Sequence, residues 1–342
     1  EIEAVYSNED YEPYAIKRDQ EISDFLNSKN IAFHPFKDQV IFHKDEIVKA
    51  DKKPYTVYTP YSKLWLNEFQ KVDLQGFASE KKLDNLLDIP FEEFKIEDIG
   101  FQKTNLAFEV PEADLHIIKT YEETRNFPAV KGTTQLGVHL RFGTISVRKL
   151  AKIAKENNLT FLKELIWREF FMQILYHFPK VVNHSFKAKY DAIPWENNPE
   201  FLEKWKAGKT GFPIVDAGMR ELNATGFMHN RVRMITASFL IKHLLTDWRI
   251  GEAYFAEKLM DYDLSANNGN WQWCASSGCD AAPYFRIFNP DEQQKKFDPD
   301  FKYIKKWIPE FGTKYYPKPI VEHKKAREKV LKVYKEALDN LD

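Results

Sequence analysis

The chain has 342 residues with 50 basic and 51 acidic side chains, a formal net charge of −1 with histidines neutral. Its 27 Phe, 16 Tyr and 8 Trp against only 13 Gly exclude a disordered, collagen-like or Gly-rich flexible chain, and the length suffices for two domains. Near-neutrality excludes a uniformly basic coat but hides an asymmetry. Residues 1–110 hold 14 Lys/Arg against 22 Asp/Glu, whereas residues 111–342 hold 36 against 29, so one region suits an anionic partner.

In chain order, Ile2–Tyr6 alternates apolar and polar residues and reads as a strand. Glu12–Ser28 reads as a helix, and the apolar, partly β-branched Val40-Ile41-Phe42 as the next strand. Residues 1–45 therefore look like a piece of an α/β unit, too small to cover both faces of a parallel sheet. Residues 46–110 have few long periodic segments, several charged runs, and Pro54, Pro60 and Pro90, the marks of a long connection wrapping over a neighbour. From about 111 the pattern is helical, punctuated by Pro128, Gly132, Pro179, Pro194, Pro199, Gly211 and Pro213. No run of about 18 apolar residues occurs, so no membrane span is expected. The first residues lack the basic and apolar parts of a secretory signal. Cys274 and Cys279 have no nearby His pair, fit neither a zinc pattern nor a disulfide framework, and read as reduced thiols of a cytosolic protein without a metal site.

Gly208-Lys209-Thr210 imitates the end of a phosphate loop, but Glu203 stands where the loop's first Gly is required. The string Gly132-Thr133-Thr134-Gln135-Leu136 precedes an apolar-periodic segment. It reads either as ordinary hydroxyl capping or as an anion site at a helix start. Within Glu164–Phe171, helical spacing puts Glu164, Trp167, Arg168 and Phe171 on one face, and Ile166, Phe170 and Ile174 on an apolar one. A Trp between Glu and Arg suits a flat ring stacked on it with a carboxylate alongside. In Met228–Met234, Asn230, Arg233 and Met234 share a face. Asp261-Tyr262-Asp263 and Asn267-Asn268-Gly269-Asn270 follow a helix ending near Met260. They read as an amide-rich loop, either a plain turn or a close approach of backbone to a flat ligand.

Trp271-Gln272-Trp273 and the run Asp280–Pro290 come next, and they make the pattern specific. With Glu164–Phe171, Met228–Met234 and Asn267–Trp273 in this order, the stretch from about Tyr121 onward resembles the flavin domain of the photolyase/cryptochrome family. The nearest likeness is to its bacterial class I cyclobutane pyrimidine dimer branch. The resemblance implies a mainly α fold with an all-helical FAD- and lesion-binding domain over 111–342. Residues 46–110, with Tyr55–Pro60, match the interdomain linker. Residues 1–45 match a remnant of the N-terminal doubly wound α/β antenna domain, as though the sequence began inside it.

For individual residues, the resemblance implies that Tyr121, Thr133, Thr134, Gln135 and Leu136 hold the diphosphate of a U-shaped FAD. Arg168, Phe171, Tyr262, Asp261 and Asp263 lie against the cofactor. Arg233, opposite Asp261, places positive charge beside the ring and favours its anionic reduced form, while Asn267 faces flavin N5 with an amide that can accept. Trp167, Trp273 and Met234 wall a pocket for a flipped dimer, Glu164 bonds its imide edge, and Asn230 bridges cofactor and dimer. Arg125, Arg231 and Gln293 contact DNA. Trp271, Trp248 and Trp195 match an electron-transfer chain. A folate or deazaflavin antenna is usual in the family, but its site is incomplete here. The implied setting is a monomer in the bacterial cytosol acting on UV-damaged DNA. Departures from the family strings are Gly137 and Thr134 for serines, Asn270 for a glycine, and Phe161 for a Trp of some members. The alternative is a cryptochrome-like light sensor without repair, which Asn230, Met234 and Asn267 oppose. A helical DNA-binding module without flavin is a third reading.

Overall fold

The computed structural model describes residues 2–339 apart from 75, 77, 89, 91, 92 and 107–109. Strands β1 (Ala4–Asn8) and β2 (Ala32–Phe36) pair in parallel, Ala4 opposite Ala32 through Asn8 opposite Phe36. The crossover is helix α1 (Pro13–Asn27), whose first position is a proline, where the absent N–H costs nothing. The expected strand at Val40–Phe42 is corrected: these residues pair with no strand. Instead the N–H groups of Ile41 and Phe42 donate to the buried carboxylate of Glu169 at 2.7 and 3.1 Å. A side chain thus satisfies the backbone of an apolar run that a sheet would otherwise have to pair.

The connection is also more than a wrap. It contains α2 (Tyr58–Phe69), which buries Tyr61, Trp65 and Phe69, one residue per helical turn. Trp65 Nε1 donates to the same Glu169 at 2.7 Å.

The rest is helical: α3 (Leu115–Thr124), α4 (Gly137–Phe142), α5 (Val147–Asn157), α6 (Leu159–His177) and α7 (Pro199–Lys206). Then come α8 (Pro213–Thr225), α9 (Asn230–Lys242), α10 (Trp248–Lys258), α11 (Leu264–Ala275), α12 (Pro290–Phe297), α13 (Lys302–Trp307) and α14 (His323–Asp339). Asp114, Ser146, Asn158, Asn198, Asp247 and Asp263 each accept a backbone N–H at a helix start, so these boundaries are written in the local sequence. One core gathers α2, α5 and α6 around Trp65, Leu150 and Phe170; another gathers α8, α9, α10 and α11 around Trp205, Phe239 and Trp271. Helices α6 and α11 join the two. At their crossing a Cβ on Gly269 would lie 2.2 Å from the Phe171 ring, so only glycine fits. Asn267–Asn270 is therefore not a loop but the middle of α11. No helix among the described residues is long and apolar enough to cross a membrane.

Candidate functional site

His229 caps α9, its Nδ1 accepting the Arg231 N–H at 3.1 Å, and so sets the rotation of the helix. Asn230, Arg233 and Met234 then share one face, as i, i+3 and i+4 spacing requires. That face and α11 border a chamber lined by Asn230, Arg233, Asp261, Asn267, Trp271 and Cys274. A second chamber reaches Tyr121, the Thr133–Gly137 turn and Arg168. The mouth is walled by Arg125, Glu164, Trp167, Arg231, Met234 and Trp273. Asn230 lines all three spaces and stands at their junction.

Charge in the inner chamber is paired. Arg233 Nη2 reaches both Asp261 oxygens, at 3.1 and 2.9 Å, and its Nε donates to Met228 O at 2.6 Å. Asn267 Nδ2 donates to the carbonyl and the carboxylate of Glu252 at 3.1 and 2.8 Å. The amide nitrogen is thus committed and its oxygen is the atom left to accept. Burial raises the Glu252 carboxyl above its ordinary range, and the Asn267 N–H opposes that shift. Asp263 caps α11 through Ala266 N at 3.0 Å, with Arg141 3.9 Å from its other oxygen. Burial pushes the Cys274 thiol up to about 12, so it is a protonated, inert wall. Both cysteines are free.

In the second chamber Gln135 has a left-handed backbone (φ 53°) and Leu136 returns to φ −76°. Such alternation of hand gathers successive N–H groups into an anion-binding concavity. Gly137, where the family string has serine, faces Asp261: a Cβ there would lie 3.0 Å from Asp261 Oδ2. A side chain there would press on that carboxylate, which would have to shift by a few tenths of an ångström. These donors fit a flavin dinucleotide: an anion cradle in one chamber, and in the other an aromatic wall with a cation and an amide acceptor.

At the mouth Glu164 and Arg125 form an ion pair with each other. Burial raises the Glu164 carboxyl, with Arg125 opposing. Arg231 donates to Asn126 Oδ1 at 2.7 Å and lies 4.4 Å over Phe297. Burial, then the charges of Arg125 and Arg286, lower its pKa. Arg125, Arg231 and Arg286 make a local positive field that Glu164 offsets only in part, and such a field suits an anion. Trp167 is stacked on one face by Tyr58, at a ring separation of 3.6 Å and 4° from parallel.

The remaining expected residues divide between the cavity wall and other places. Arg168 borders the cavity, but its guanidinium donates to the carbonyls of Gln39 at 2.6 Å and Leu140 at 3.2 Å, fastening the N-terminal segment to α4. Gln293, on α12, is not among the lining residues of these spaces. Trp271 is in the chamber wall; Trp248 is buried with its Nε1 unpartnered; Trp195 is half-buried and edge-on to Tyr334 at 6.1 Å. Trp271 meets Trp205 edge-on at 6.3 Å. Sequence reasoning missed Trp205, Glu252, Asn126 and Tyr58. Only Tyr58 carried a signal, inside the Tyr55–Pro60 string. Among the described residues no cluster of three or more His, Cys, Asp or Glu could hold a metal.

Comparison with known proteins agrees. Residues 161–314 match the FAD-binding domain of DNA photolyase and residues 1–81 the DNA photolyase family. The deoxyribodipyrimidine photo-lyase of Escherichia coli is 38% identical over 371 residues, 97% of this chain and 78% of that protein. A bacterial class III photolyase from Agrobacterium tumefaciens superposes with a TM-score of 0.82 at 31% identity, covering 98% of this chain and 79% of that one. An archaeal photolyase from Sulfolobus tokodaii, described with two FAD molecules, gives 0.78 at 35% identity over 98% of this chain and 79% of its own. Helical fold, cavity and sequence agree: the chain belongs to the photolyase/cryptochrome family.

Proposed function

We propose that this protein is a light-driven lyase that splits cyclobutane pyrimidine dimers in DNA, taking the dimer flipped out of the duplex. The observation that carries the reading is Asn230. It stands between a chamber suited to a flavin and an aromatic-walled mouth ringed by arginines. When bound, FAD supplies a light-excited one-electron donor. The chain's own residues hold and orient. The Thr133–Leu136 turn and Tyr121 would hold the diphosphate; Arg233, its direction fixed by Asp261, would set positive charge beside the ring; the Asn267 oxygen would be the acceptor offered to it.

Trp167 and Trp273 give the dimer walls, and Met234 supplies a deformable filler. Glu164 faces the imide edge once Arg125 turns from it to a phosphate, an exchange of one anion for another. Arg231, held against Phe297 and Asn126, grips a neighbouring phosphate. Breaking two carbon–carbon bonds with no net redox change asks no residue to move a proton, which is consistent with a site built of amides, arginines and aromatics. The test is illumination of the reduced holoprotein with an oligonucleotide bearing one thymine dimer. Light-dependent loss of the dimer is expected. No loss, with flavin bound and reduced, refutes repair and leaves light sensing.

A further inference from the structure

We infer that Tyr58, in the connection outside the helical body, is a positioning residue for lesion recognition: it closes the back face of Trp167 and presents the other face to the mouth. The inference rests on the reading of Trp167 as a wall of the lesion pocket.

The stack is close and parallel, 3.6 Å between rings and 4° between planes. Tyr58 is fixed at both ends. Its hydroxyl donates to Lys163 O at 2.9 Å, on the turn of α6 just before Trp167. Its backbone N–H, one of the unpaired donors at the start of α2, is accepted by Asp280 Oδ2 at 3.0 Å. Asp280 is 222 residues away in sequence and opens the run to Pro290. One residue therefore ties the connection, α6 and the Asp280 segment into a single block behind the pocket. Phe170 adds an edge to both rings, at 5.8 Å from Tyr58 and 5.7 Å from Trp167.

The physical consequence is preorganisation. A half-buried indole with two free faces has rotamers to lose when a base stacks on it, and that loss subtracts from affinity. With Tyr58 against one face, Phe170 at its edge and the Phe171 ring 5.5 Å away at 29° from parallel, Trp167 meets a ligand in a fixed plane. Burial and the nearby charge of Glu164 also raise the Tyr58 hydroxyl's pKa, so the ring is a neutral phenol throughout the working range.

Dimer-bearing and undamaged oligonucleotides are titrated against holoprotein carrying Tyr58→Leu, Tyr58→Phe, Trp167→Ala, and Tyr58→Leu with Trp167→Ala. Leucine fills the space without a stacking plane. It is expected to weaken dimer binding by roughly 3- to 10-fold, the range of one aromatic pair, and to leave undamaged DNA unaffected. Phenylalanine should bind within about 2-fold of the parent, because the ring is kept. In the double variant Tyr58→Leu should add nothing to the loss from Trp167→Ala, since it acts through that indole. The inference is overturned if Tyr58→Leu binds the dimer normally, if it loses affinity equally for undamaged DNA, or if the two losses simply add. Normal dimer binding by Trp167→Ala alone would instead remove the wall itself, a different failure with its own signature.

Discussion

Residues 111–342 and the segment before them are held by different forces. The helical body interlocks through buried side chains, Trp205, Phe239, Phe255 and Tyr303 among them, and such burial is strong but without direction. The two-stranded segment instead exposes Tyr6, Phe25 and Phe36 and meets the body through a small buried patch of Tyr11, Val40, Ile41 and Phe42 ringed by polar ties. Glu169 accepts from Ile41, Phe42 and Trp65, and Arg168 donates to Gln39. Arg148 donates to the carbonyls of Asp38 and Lys37 at 2.9 and 3.2 Å, and Arg141 pairs with Asp10 and Glu12 at 3.2 and 3.0 Å. Hydrogen bonds have direction, so they fix the segment's orientation around that small apolar patch. Helix α2 adds a larger apolar contact. It packs into the body by Tyr61, Trp65 and Phe69, and its first residue reaches the site.

The most severe way to break this contrast is Glu169→Ala. It strands three buried donors, each costing about 1–3 kcal/mol, so unfolding free energy should fall by roughly 3 kcal/mol or more. Limited proteolysis should then cut within residues 1–81 before it cuts the body. A loss under about 1 kcal/mol would mean that the polar ties do not hold the segment.

The same carboxyl gives the contrast a pH signature. Burial outweighs its three donors and pushes Glu169 up to about 7. Between the ordinary glutamate range and about 7 the folded chain keeps a proton that the unfolded chain has released. This group's contribution to stability therefore falls as pH rises through that window. Unfolding free energy measured across it should show the slope in the parent and lose it in Glu169→Gln.

Within the body, Trp167→Ala should weaken binding of dimer-bearing DNA by about 1–3 kcal/mol, the value of one base–aromatic stack. Titration against undamaged DNA should show no matching loss; equal losses would assign Trp167 to general packing. The smallest effect sharpens the role of charge. Arg231→Ala should lower affinity alike for all sequences and reduce the salt slope of the binding constant by about 1, one phosphate's share. An unchanged slope would place Arg231 outside the DNA contact.

Much of the body was legible because its signals are local. Prolines such as Pro199 and Pro213 stand at helix starts, and the spacing of Asn230, Arg233 and Met234 puts them on one face before any packing is known. The errors fall where a distant residue decides. Val40–Phe42 has strand composition, yet Glu169, more than 120 residues on, takes the donors a neighbouring strand would have used. Asn267–Asn270 has turn composition, yet Asp263 caps the helix, Asn268 Nδ2 and Asn270 Nδ2 bond Val181 O and Ala266 O, and Gly269 makes room for Phe171. Tertiary partners there override the poor helix propensity of Asn and Gly.

The sequence by itself therefore determined the helical class, the acidic and basic halves, the ordered motifs, and through them the family and its flavin. These depend on periodicity and residue type, which are properties of neighbours along the chain. Only the tertiary structure decided that Arg125 pairs with Glu164, that Asn267 spends its nitrogen on Glu252, that Arg168 is a fastener, and that Tyr58 stands behind Trp167. Each depends on which groups meet across long separations, and a hydrogen bond or a ring stack is settled by tenths of an ångström that composition does not carry.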